Sequence, residues 1–392
     1  MTTAITAAAL FTPLEQVKDP VVLIEDGLIS AVGTKGDLRI PATARVVDFP
    51  DAILAPGFID IHIHGGAGFD VMQAADDTSA LAAIESLMAR HGVTSYCPTT
   101  VTAGIDQTLA SLGALGKAVR HNPGTAQNLN GIARACPLGI HLEGPFISTE
   151  KCGVHPLAEI QPPSLELFER FWQAAEGAIK MMTIAPELPG AEVLIRAAAS
   201  RGMRVSVGHS NADAAATKAA AMAGATHATH TFNAMRPLDH RDPGILGVVL
   251  SDPHFTADII ADGFHVAPDV IKLFLAAKGA ERALLITDAI SATGMPDGRY
   301  RLGTFEVEVA GGKCLLAGKL AGSALTMDRA LRNVMNFASL SLLDTLRLAT
   351  INPARVLGVD DRKGSLAAGK DADIVVLTPQ GEVVKTIVRG RI

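Results

Sequence analysis

The sequence has few cysteines and few aromatic residues, and neither type is arranged as a binding motif. Its four cysteines, Cys97, Cys136, Cys152 and Cys314, are widely separated and form no C-x-x-C pair. Cysteines spaced in this way are typical of reduced thiols, and they argue against a disulfide framework or a zinc knuckle. Phe, Trp and Tyr make up only 4% of the chain, which argues against a surface that binds nucleic acid by stacking bases.

The sequence also lacks a basic surface and a membrane segment. Because the formal net charge is -6 at pH 7, we expect neither nucleic acid nor an acidic membrane as a partner. No apolar stretch reaches the roughly 18–20 uncharged residues that a membrane span requires. Residues 1–16 contain a short apolar patch without a basic segment before it, so we do not interpret them as a signal peptide. These features predict a cytoplasmic enzyme.

Between about residues 57 and 355, short β-rich runs alternate with Ala-rich helical stretches. The predicted strands are Gly57–His64, Ser95–Pro98, Gly139–Glu143, Ile179–Ile184, Arg204–Gly208, Ala225–Thr229, Phe255–Ile260 and Ala283–Thr287. The predicted helices include Ser79–Arg90, Ile105–Arg120, Glu192–Arg201, Ala212–Ala223, Pro268–Lys278 and Met327–Phe337. Eight strands in this alternation predict a (β/α)8 barrel of the TIM type.

The two ends of the chain have a different pattern. Residues 1–55 contain short strands such as Val21–Ile24 and Ile29–Val32, and residues 359–392 contain two further β-rich runs. Neither segment is long enough to bury a core of its own. We therefore predict an α/β protein in which a metal-dependent hydrolase barrel, residues 56–358, is inserted into a small β-sandwich domain formed from both chain ends.

The most informative motif is the pair His62 and His64, at the end of the first predicted barrel strand. Residues i and i+2 of a strand point to the same face, so both imidazoles can reach one point. Gly65 and Gly66 follow at once and end the strand. An isolated pair of this kind is equally typical of buried, hydrogen-bonded histidines, so its meaning depends on the rest of the chain.

Four further strand ends carry the same kinds of side chain. These are Glu143, His209, His230 and Asp288. Because the carboxyl ends of all barrel strands meet at one mouth, we expect these side chains to converge there. Imidazole and carboxylate groups are the ligands that suit zinc or another first-row divalent metal. The sequence therefore predicts a metal site, although each residue taken alone is also compatible with a structural role.

Seven motifs extend this pattern over essentially the whole chain. They are Pro-Gly-Phe-Ile-Asp-Ile-His-Ile-His-Gly (56–65), His-Leu-Glu-Gly-Pro-Phe (141–146), Gly-His-Ser-Asn-Ala (208–212), Thr-His-Thr-Phe-Asn-Ala-Met (229–235), Asp-Gly-Phe-His-Val (262–266), Thr-Asp-Ala (287–289) and Leu-Ala-Gly-Ser (320–323). The first motif resembles the amidohydrolase superfamily. Together, the motifs resemble the family of N-acetylglucosamine-6-phosphate deacetylases, which remove an acetyl group with a metal-activated water.

This resemblance implies roles for the strand-end residues. Glu143, His209 and His230 are expected to hold the principal divalent metal, with His62 and His64 forming a second site beside it. We expect one or two ions per subunit, with zinc as the first choice and iron, cobalt or manganese as alternatives. Asp288 is expected to reach the metal and to act on the water as general base and then general acid. From its position alone, Asp288 could also be a helix N-cap.

The resemblance also implies how a phosphorylated amino sugar is bound. Arg241 and His265 are expected to bind its phosphate, and His155 is expected to stabilise the carbonyl oxyanion. Phosphate contacts in the family can cross a dimer interface, so we expect a homodimer. The full expected substrate-binding set is Val154, Asn233, Ala234, Arg241, Asp262, Gly263, Phe264, His265, Leu320, Ala321, Gly322 and Ser323.

Three alternatives remain open at the level of sequence. A sister deacetylase for the galactosamine epimer differs only in the orientation of one hydroxyl of its substrate. Another amidohydrolase acting on a cyclic amide is less compatible, because those relatives usually carry a bridging lysine where this chain has Glu143. A catalytically silent metal-binding or sugar-sensing protein could use the same fold, but it would have no need to keep Asp288.

Overall fold

The computed structural model describes residues 2–13, 15–121, 133–303 and 305–392. The strands are β1 (Thr3–Thr12), β2 (Glu15–Lys18), β3 (Pro20–Glu25), β4 (Leu28–Thr34), β5 (Arg45–Pro56), β6 (Phe58–Ile63), β7 (Gly65–Gly66), β8 (Phe69–Asp70), β9 (Val93–Pro98), β10 (Cys136–Pro137), β11 (Ile140–Glu143), β12 (Ile179–Ile184), β13 (Arg204–Val207), β14 (Ala225–Ala228), β15 (Thr256–Ile260), β16 (Ala283–Ile286), β17 (Gly298–Leu302), β18 (Phe305–Ala310), β19 (Lys313–Leu316), β20 (Lys319–Leu320), β21 (Ile374–Leu377) and β22 (Val383–Ile387).

The α-helices follow the same numbering. They are α1 (Thr78–Arg90), α2 (Ile105–His121), α3 (Leu165–Ala174), α4 (Ala191–Ser200), α5 (Ala214–Ala223), α6 (Gly244–Ser251), α7 (Pro268–Lys278), α8 (Met327–Ala338), α9 (Leu342–Ala349) and α10 (Ile351–Leu357). Short 3-10 helices cover Val71–Ala75, Thr149–Lys151 and Leu157–Glu159. Among the described residues, no helix has both the length and the apolar character needed to cross a membrane.

Eight parallel strands form the barrel. Strands β11 to β16 are hydrogen-bonded in sequence order, and β9 pairs with β6. Single parallel bridges close the ring, from Thr99 to His141 on one side and from Ile63 to Ala289 on the other. The barrel strands are buried almost throughout, as in β6, because helices cover the outer face of a parallel sheet. The predicted TIM-type fold is confirmed.

Helix α4 shows how a helix covers the barrel with one apolar face. In α4 the buried residues are Ala191, Leu194, Ile195 and Ala198. Their spacing of three and four residues places them on one side of a helix. The polar residues between them, such as Glu192 and Arg196, form an exposed ion pair one helical turn apart.

Both chain ends form the predicted small β domain. Its described strands lie in one seven-stranded sheet with the order β22-β21-β5-β1-β3-β4, and β2 pairs with β1. Strand β21 from the C-terminal part runs antiparallel to β5, and Ile374 pairs with Pro56. A cluster of buried residues that includes Ile5, Leu54 and Val376 packs across the sheet, so neither chain end forms this core alone.

A single glycine joins the small domain to the barrel. Gly57 separates β5 from β6, and its backbone N–H donates to the carbonyl oxygen of Asp373 at 2.9 Å. A Cβ atom at this position would lie 2.2 Å from the side chain of Thr94, so only glycine fits. Only this one residue therefore separates β5 of the small domain from the strand that carries His62.

Several elements were not among the sequence-based predictions. A four-stranded antiparallel sheet, β17 to β20, is inserted after the last barrel strand. We call this sheet the lid sheet, because Leu302 and Leu320 from it line the cavity at the barrel mouth. Helices α3, α6, α9 and α10 were also not predicted.

Candidate active site

The two histidines at the end of β6 do converge on one point. The Nε2 atoms of His62 and His64 lie 3.1 Å apart, and both side chains are buried. The Nδ1–H of His64 donates to the carbonyl oxygen of Thr99 at 3.0 Å. This bond leaves the Nε2 lone pair of His64 free to face a cation, an arrangement that is usual for histidine ligands of metals.

Glu143 brings two further histidines to the same place. Its Oε1 atom lies 3.0 Å from His230 Nε2 and 3.3 Å from His209 Nε2, and the two Nε2 atoms are 3.0 Å apart. The Nδ1–H of His209 donates to the carbonyl oxygen of Lys151 at 2.9 Å. His209 therefore also presents an unprotonated Nε2 to the site.

This donor set fits a divalent metal. Zinc–nitrogen bonds of about 2.0–2.1 Å place tetrahedral ligands about 3.3 Å apart, close to the spacings around Glu143. Imidazole and carboxylate groups that converge at such spacings in a buried site are typical of metal ligands. Glu143 is shared, because its Oε2 atom also lies 3.2 Å from His64 Nε2 and 3.5 Å from His62 Nε2. One carboxylate thus belongs to both histidine pairs.

Asp288 faces this centre from the end of β16. Its Oδ1 atom lies 3.2 Å from His64 Nε2 and 3.6 Å from His62 Nε2, and its backbone N–H donates to the carbonyl oxygen of His62 at 3.0 Å. No α-helix begins at Asp288, so the alternative role as a helix N-cap is excluded. The carboxylate is available to the cavity.

Burial and neighbouring charges act in opposite directions on these groups. Burial alone would raise the pKa of Glu143, but the surrounding imidazoles hold this pKa well below its ordinary range. Burial also opposes ionisation of Asp288, yet a hydrogen bond with His64 and the nearby imidazole charges lower its pKa to about 2. Burial lowers the pKa of His230, but the hydrogen bond to Glu143 and the charges of the nearby carboxylates together outweigh this effect and raise the pKa to about 9. Both carboxylates are therefore ionised at neutral pH, and metal binding must displace imidazole protons.

The backbone is unusual where these side chains leave the strands. His209, His230 and Asp288 have φ angles of 46°, 32° and 49°. Non-glycine residues seldom adopt this left-handed region, and such positions concentrate at functional sites. In each case the turn of the chain directs a side chain into the barrel mouth instead of along the strand.

An open cavity of about 150 Å³ lies at the cluster. Its lining contains His64, Val101, Glu143, Gly153, Val154, His155, His209, His230, Asn233, Ala234, His265, Asp288, Leu302, Leu320, Ala321 and Gly322. Seven members of the expected substrate-binding set therefore line the cavity, and so does His155. The lid sheet supplies the apolar side chains of Leu302 and Leu320 to this lining.

The remaining five members of that set do not line the cavity. The Asp262 carboxylate accepts a hydrogen bond from His265 Nδ1 at 2.6 Å and so orients a residue that does line it. Ser323 is buried and donates from its hydroxyl to the carbonyl oxygen of Thr287 at 2.5 Å. Gly263 is half-buried, while Phe264 and Arg241 are exposed.

Several residues of the site were not found by sequence reasoning. Val101, Gly153 and Leu302 line the cavity, and Thr99 and Lys151 orient metal-binding histidines through their carbonyl oxygens. A backbone carbonyl leaves no signal in residue type. Of these residues, only Gly153 could have been predicted from the sequence, because it is adjacent to the predicted Val154.

The sequence and the structure were compared with known proteins. The model of the amidohydrolase family matches residues 53–392. An N-acetylglucosamine-6-phosphate deacetylase of Bacillus subtilis (strain 168) is 40% identical over 98% of this chain and 95% of the relative. An N-acetylgalactosamine-6-phosphate deacetylase of Escherichia coli O157:H7 is 36% identical over 100% of this chain and 99% of the relative. The structure of a variant N-acetyl-D-glucosamine-6-phosphate deacetylase from Mycobacterium smegmatis, in complex with N-acetyl-D-glucosamine-6-phosphate, is 36% identical with a TM-score of 0.90 and covers 100% of this chain and 98% of that one.

The chain belongs to the amidohydrolase family, and its barrel holds a buried cluster of histidine and carboxylate groups. The likeness to single relatives extends beyond the barrel to both chain ends. Within the family, it is a member of the N-acetylglucosamine-6-phosphate deacetylases.

Proposed function

We propose that this protein hydrolyses the acetamide of N-acetyl-D-glucosamine 6-phosphate to D-glucosamine 6-phosphate and acetate. The observation that carries the proposal is the convergence of Asp288 and the Glu143-centred histidine cluster on one open cavity. The Bacillus subtilis relative bears the name of this activity at 40% identity, which supports the choice of substrate.

The reaction replaces the acetamide C–N bond by a C–O bond from water. Glu143, His209 and His230 would hold a divalent cation, which would lower the pKa of a water and polarise the carbonyl. The Asp288 carboxylate accepts the proton that water loses as its oxygen attacks the carbonyl carbon. Asp288 then gives this proton to the nitrogen, because an amine leaves readily only once it is protonated. His155, which lies beside Glu143 and His209, stabilises the negative charge on the carbonyl oxygen.

Glu143, His209 and His230 would hold the principal metal in this proposal. His62 and His64, which share Glu143 with that group, would hold a second ion. A set rich in imidazole suits zinc, with iron, cobalt or manganese as alternatives. The principal group has three protein ligands, and a catalytic zinc site of three ligands leaves its fourth position for water or substrate.

The sugar would be held by the residues that face the cluster. Asn233 and Ala234 follow His230 on the same loop, and His265 lies on the adjacent loop. We assign Asn233 and the Ala234 backbone to sugar or phosphate oxygens, and His265 to the phosphate. The apolar segment from Leu320 to Gly322 covers the ring from the lid sheet.

We also propose a cytoplasmic location. Cys97, Cys136 and Cys314 are buried free thiols, and burial raises the pKa of Cys97 and Cys136 above the ordinary range of a thiol. Protonated, buried thiols of this kind suit a reducing compartment.

A direct assay tests the substrate. The metal-loaded protein is given N-acetylglucosamine 6-phosphate, its galactosamine epimer and a cyclic amide such as dihydroorotate, and acetate release or ring opening is measured. We expect the highest kcat/KM for the glucosamine substrate. The galactosamine epimer is the second candidate substrate, favoured by the Escherichia coli relative at 36% identity. If its kcat/KM is the higher one, it replaces the glucosamine compound as the proposed substrate. Ring opening, or no turnover of any compound, would contradict both.

Arg241 is proposed to bind the phosphate across a homodimer interface. Its side chain is exposed on the loop after Asn233, and its backbone N–H donates to Asp239 at 2.8 Å. A charge-assisted hydrogen bond of about 1.5–3 kcal/mol corresponds to a KM increase of roughly tenfold or more. We expect Arg241→Ala to raise KM by this factor for the phosphorylated sugar and not for unphosphorylated N-acetylglucosamine. Arg196→Ala, which removes an exposed cation on α4, is the matched control.

Mixed dimers test whether Arg241 acts on the neighbouring subunit. An Arg241→Ala subunit keeps Asp288, and an Asp288→Asn subunit keeps Arg241. If the arginine reaches across the interface, mixing and reassembling the two variants restores a population of sites with the wild-type KM. If KM in the mixture stays at the Arg241→Ala value, or if sedimentation shows a monomer, the interface role is wrong.

A further inference from the structure

His155 occupies an ambiguous position at the edge of the cluster. Its Nε2 atom lies 3.6 Å from Glu143 Oε2, and its ring packs edge-on against His209, with centroids 4.6 Å apart. Glu143, His155 and His209 are close enough to one another to hold a metal ion. Distance alone therefore allows His155 to be either a ligand or a hydrogen-bond donor, and the two roles require opposite tautomers.

Thr102 decides between these tautomers. Its backbone N–H donates to His155 Nδ1 at 3.2 Å, and its hydroxyl lies 2.7 Å from the same atom. A nitrogen that accepts a hydrogen bond from an amide cannot carry a proton of its own. The ring proton of His155 therefore lies on Nε2, the atom that faces the cavity. In His64 and His209 the arrangement is reversed, because their Nδ1–H groups donate to carbonyl oxygens.

Gly144 makes room for this contact. Its φ angle is +71°, and a Cβ atom there would lie 2.0 Å from Thr102 Oγ1 and 3.4 Å from His155 Nδ1. Thr102 and His155 are both buried, so no water competes for the bond. Gly144 is thus required because any side chain there would occupy the space in which the Thr102 hydroxyl contacts His155.

We infer that Thr102 is a positioning residue that holds His155 as the Nε2–H tautomer, and that His155 is therefore a hydrogen-bond donor and not a metal ligand. The donor role rests on the proposed deacetylation, in which the developing negative charge on the carbonyl oxygen needs a neutral donor beside the cation. The tautomer itself follows from hydrogen bonds within the protein and does not depend on the substrate.

The tautomer is measured on the wild-type, zinc-loaded protein by NMR. Long-range proton–nitrogen spectra of protein with ¹⁵N-labelled histidine distinguish protonated from unprotonated ring nitrogens, and His155→Gln assigns the signals by their disappearance. We expect an unprotonated Nδ1 and a protonated Nε2 for His155. A protonated Nδ1 with a metal-bound Nε2 would overturn the inference, and this result is obtained whether or not the protein deacetylates the proposed sugar.

Kinetics test the role of the Thr102 hydroxyl. Thr102→Val removes the shorter of the two hydrogen bonds to Nδ1, and we expect kcat to fall about tenfold with KM and zinc content little changed. Thr102→Ser keeps the hydroxyl and is expected to restore most of the lost kcat. Thr217→Val, a buried substitution on α5, controls for the general cost of replacing a threonine. Wild-type kcat in Thr102→Val would overturn the inference.

A second pair of variants remains informative if Thr102→Val fails to fold. The amide nitrogen of glutamine reaches the position of a histidine Nε2, whereas that of asparagine reaches the position of Nδ1. A donor at Nε2 predicts that His155→Gln keeps at least tenfold more kcat than His155→Asn, with zinc content unchanged in both. Loss of one equivalent of zinc in both variants would show a ligand and overturn the donor role.

Discussion

Replacing Asp288 by Asn is expected to lower kcat by roughly 10²- to 10⁴-fold, the usual contribution of a general acid–base residue. Asparagine keeps the shape of the side chain but cannot accept and return a proton. The Asp288 oxygen lies 3.2 Å from His64 Nε2, whereas Glu143 and the other histidines do not depend on it for their mutual contacts. Acetate release measures the loss, and elemental analysis of the purified variant measures metal content.

The second measurement separates catalysis from metal binding. If Asp288 acts mainly on the proton, the asparagine variant retains at least one equivalent of metal and a normal unfolding temperature. A metal-replete Asp288→Asn variant with wild-type turnover would remove Asp288 from the mechanism. If the variant loses the principal metal together with its activity, Asp288 acts as a metal ligand and not as the general base.

Glu143→Gln is expected to abolish metal binding at both positions and to reduce acetate release to the background rate. Glu143 is the only carboxylate that reaches both histidine pairs among the residues described in the structure. Glutamine has nearly the same volume but lacks the charge that offsets a divalent cation in a buried site. Metal content after dialysis, together with acetate release, tests this prediction.

The double variant His62→Asn/His64→Asn is the comparison for Glu143→Gln. It leaves the triangle of Glu143, His209 and His230 intact, so at most one equivalent of metal is expected to be lost and part of the activity to remain. If the glutamine variant binds the full complement of metal, the shared role of Glu143 is wrong. If the double variant loses all metal, the two positions do not bind independently.

Much of the barrel could be predicted because its strands coincide with short apolar runs that are recognisable in the sequence. The predicted strand Ile179–Ile184 has the same bounds in the structure, and Gly57–His64 differs from β6 by one residue at each end. A buried parallel strand is short, apolar and followed by a glycine or a polar residue, which is a strong local signal. The convergence of His209 and Asp288 then follows from the geometry of a barrel.

One of the missed elements has no clear local signal in the sequence, and another has one. Helix α6 reads Gly-Ile-Leu-Gly-Val-Val-Leu-Ser, which is apolar on all sides and rich in residues that do not favour helices, so tertiary burial decides its conformation. The lid sheet did carry a signal. Strand β18 alternates exposed and buried residues along Phe305–Ala310, and Gly311 and Gly312 then form a two-residue turn to β19, a typical hairpin pattern.

The role of Thr102 could not have been found in the sequence. Thr102 and His155 are 53 positions apart, on loops after two neighbouring barrel strands, and threonine is common in such loops. Which ring nitrogen is protonated depends on the positions of single atoms, and those are determined only by the assembled loops.

The direct passage from β5 through Gly57 into β6 has a consequence for how this protein can be cut or fused. The sheet residues Ile53–Pro56 are paired with β21, and six residues after Pro56 the chain reaches His62. Deleting the C-terminal strands would leave an open sheet edge next to the metal-binding strand. The barrel is therefore not a transferable unit, because replacing either chain end removes strands of the sheet that continues into β6.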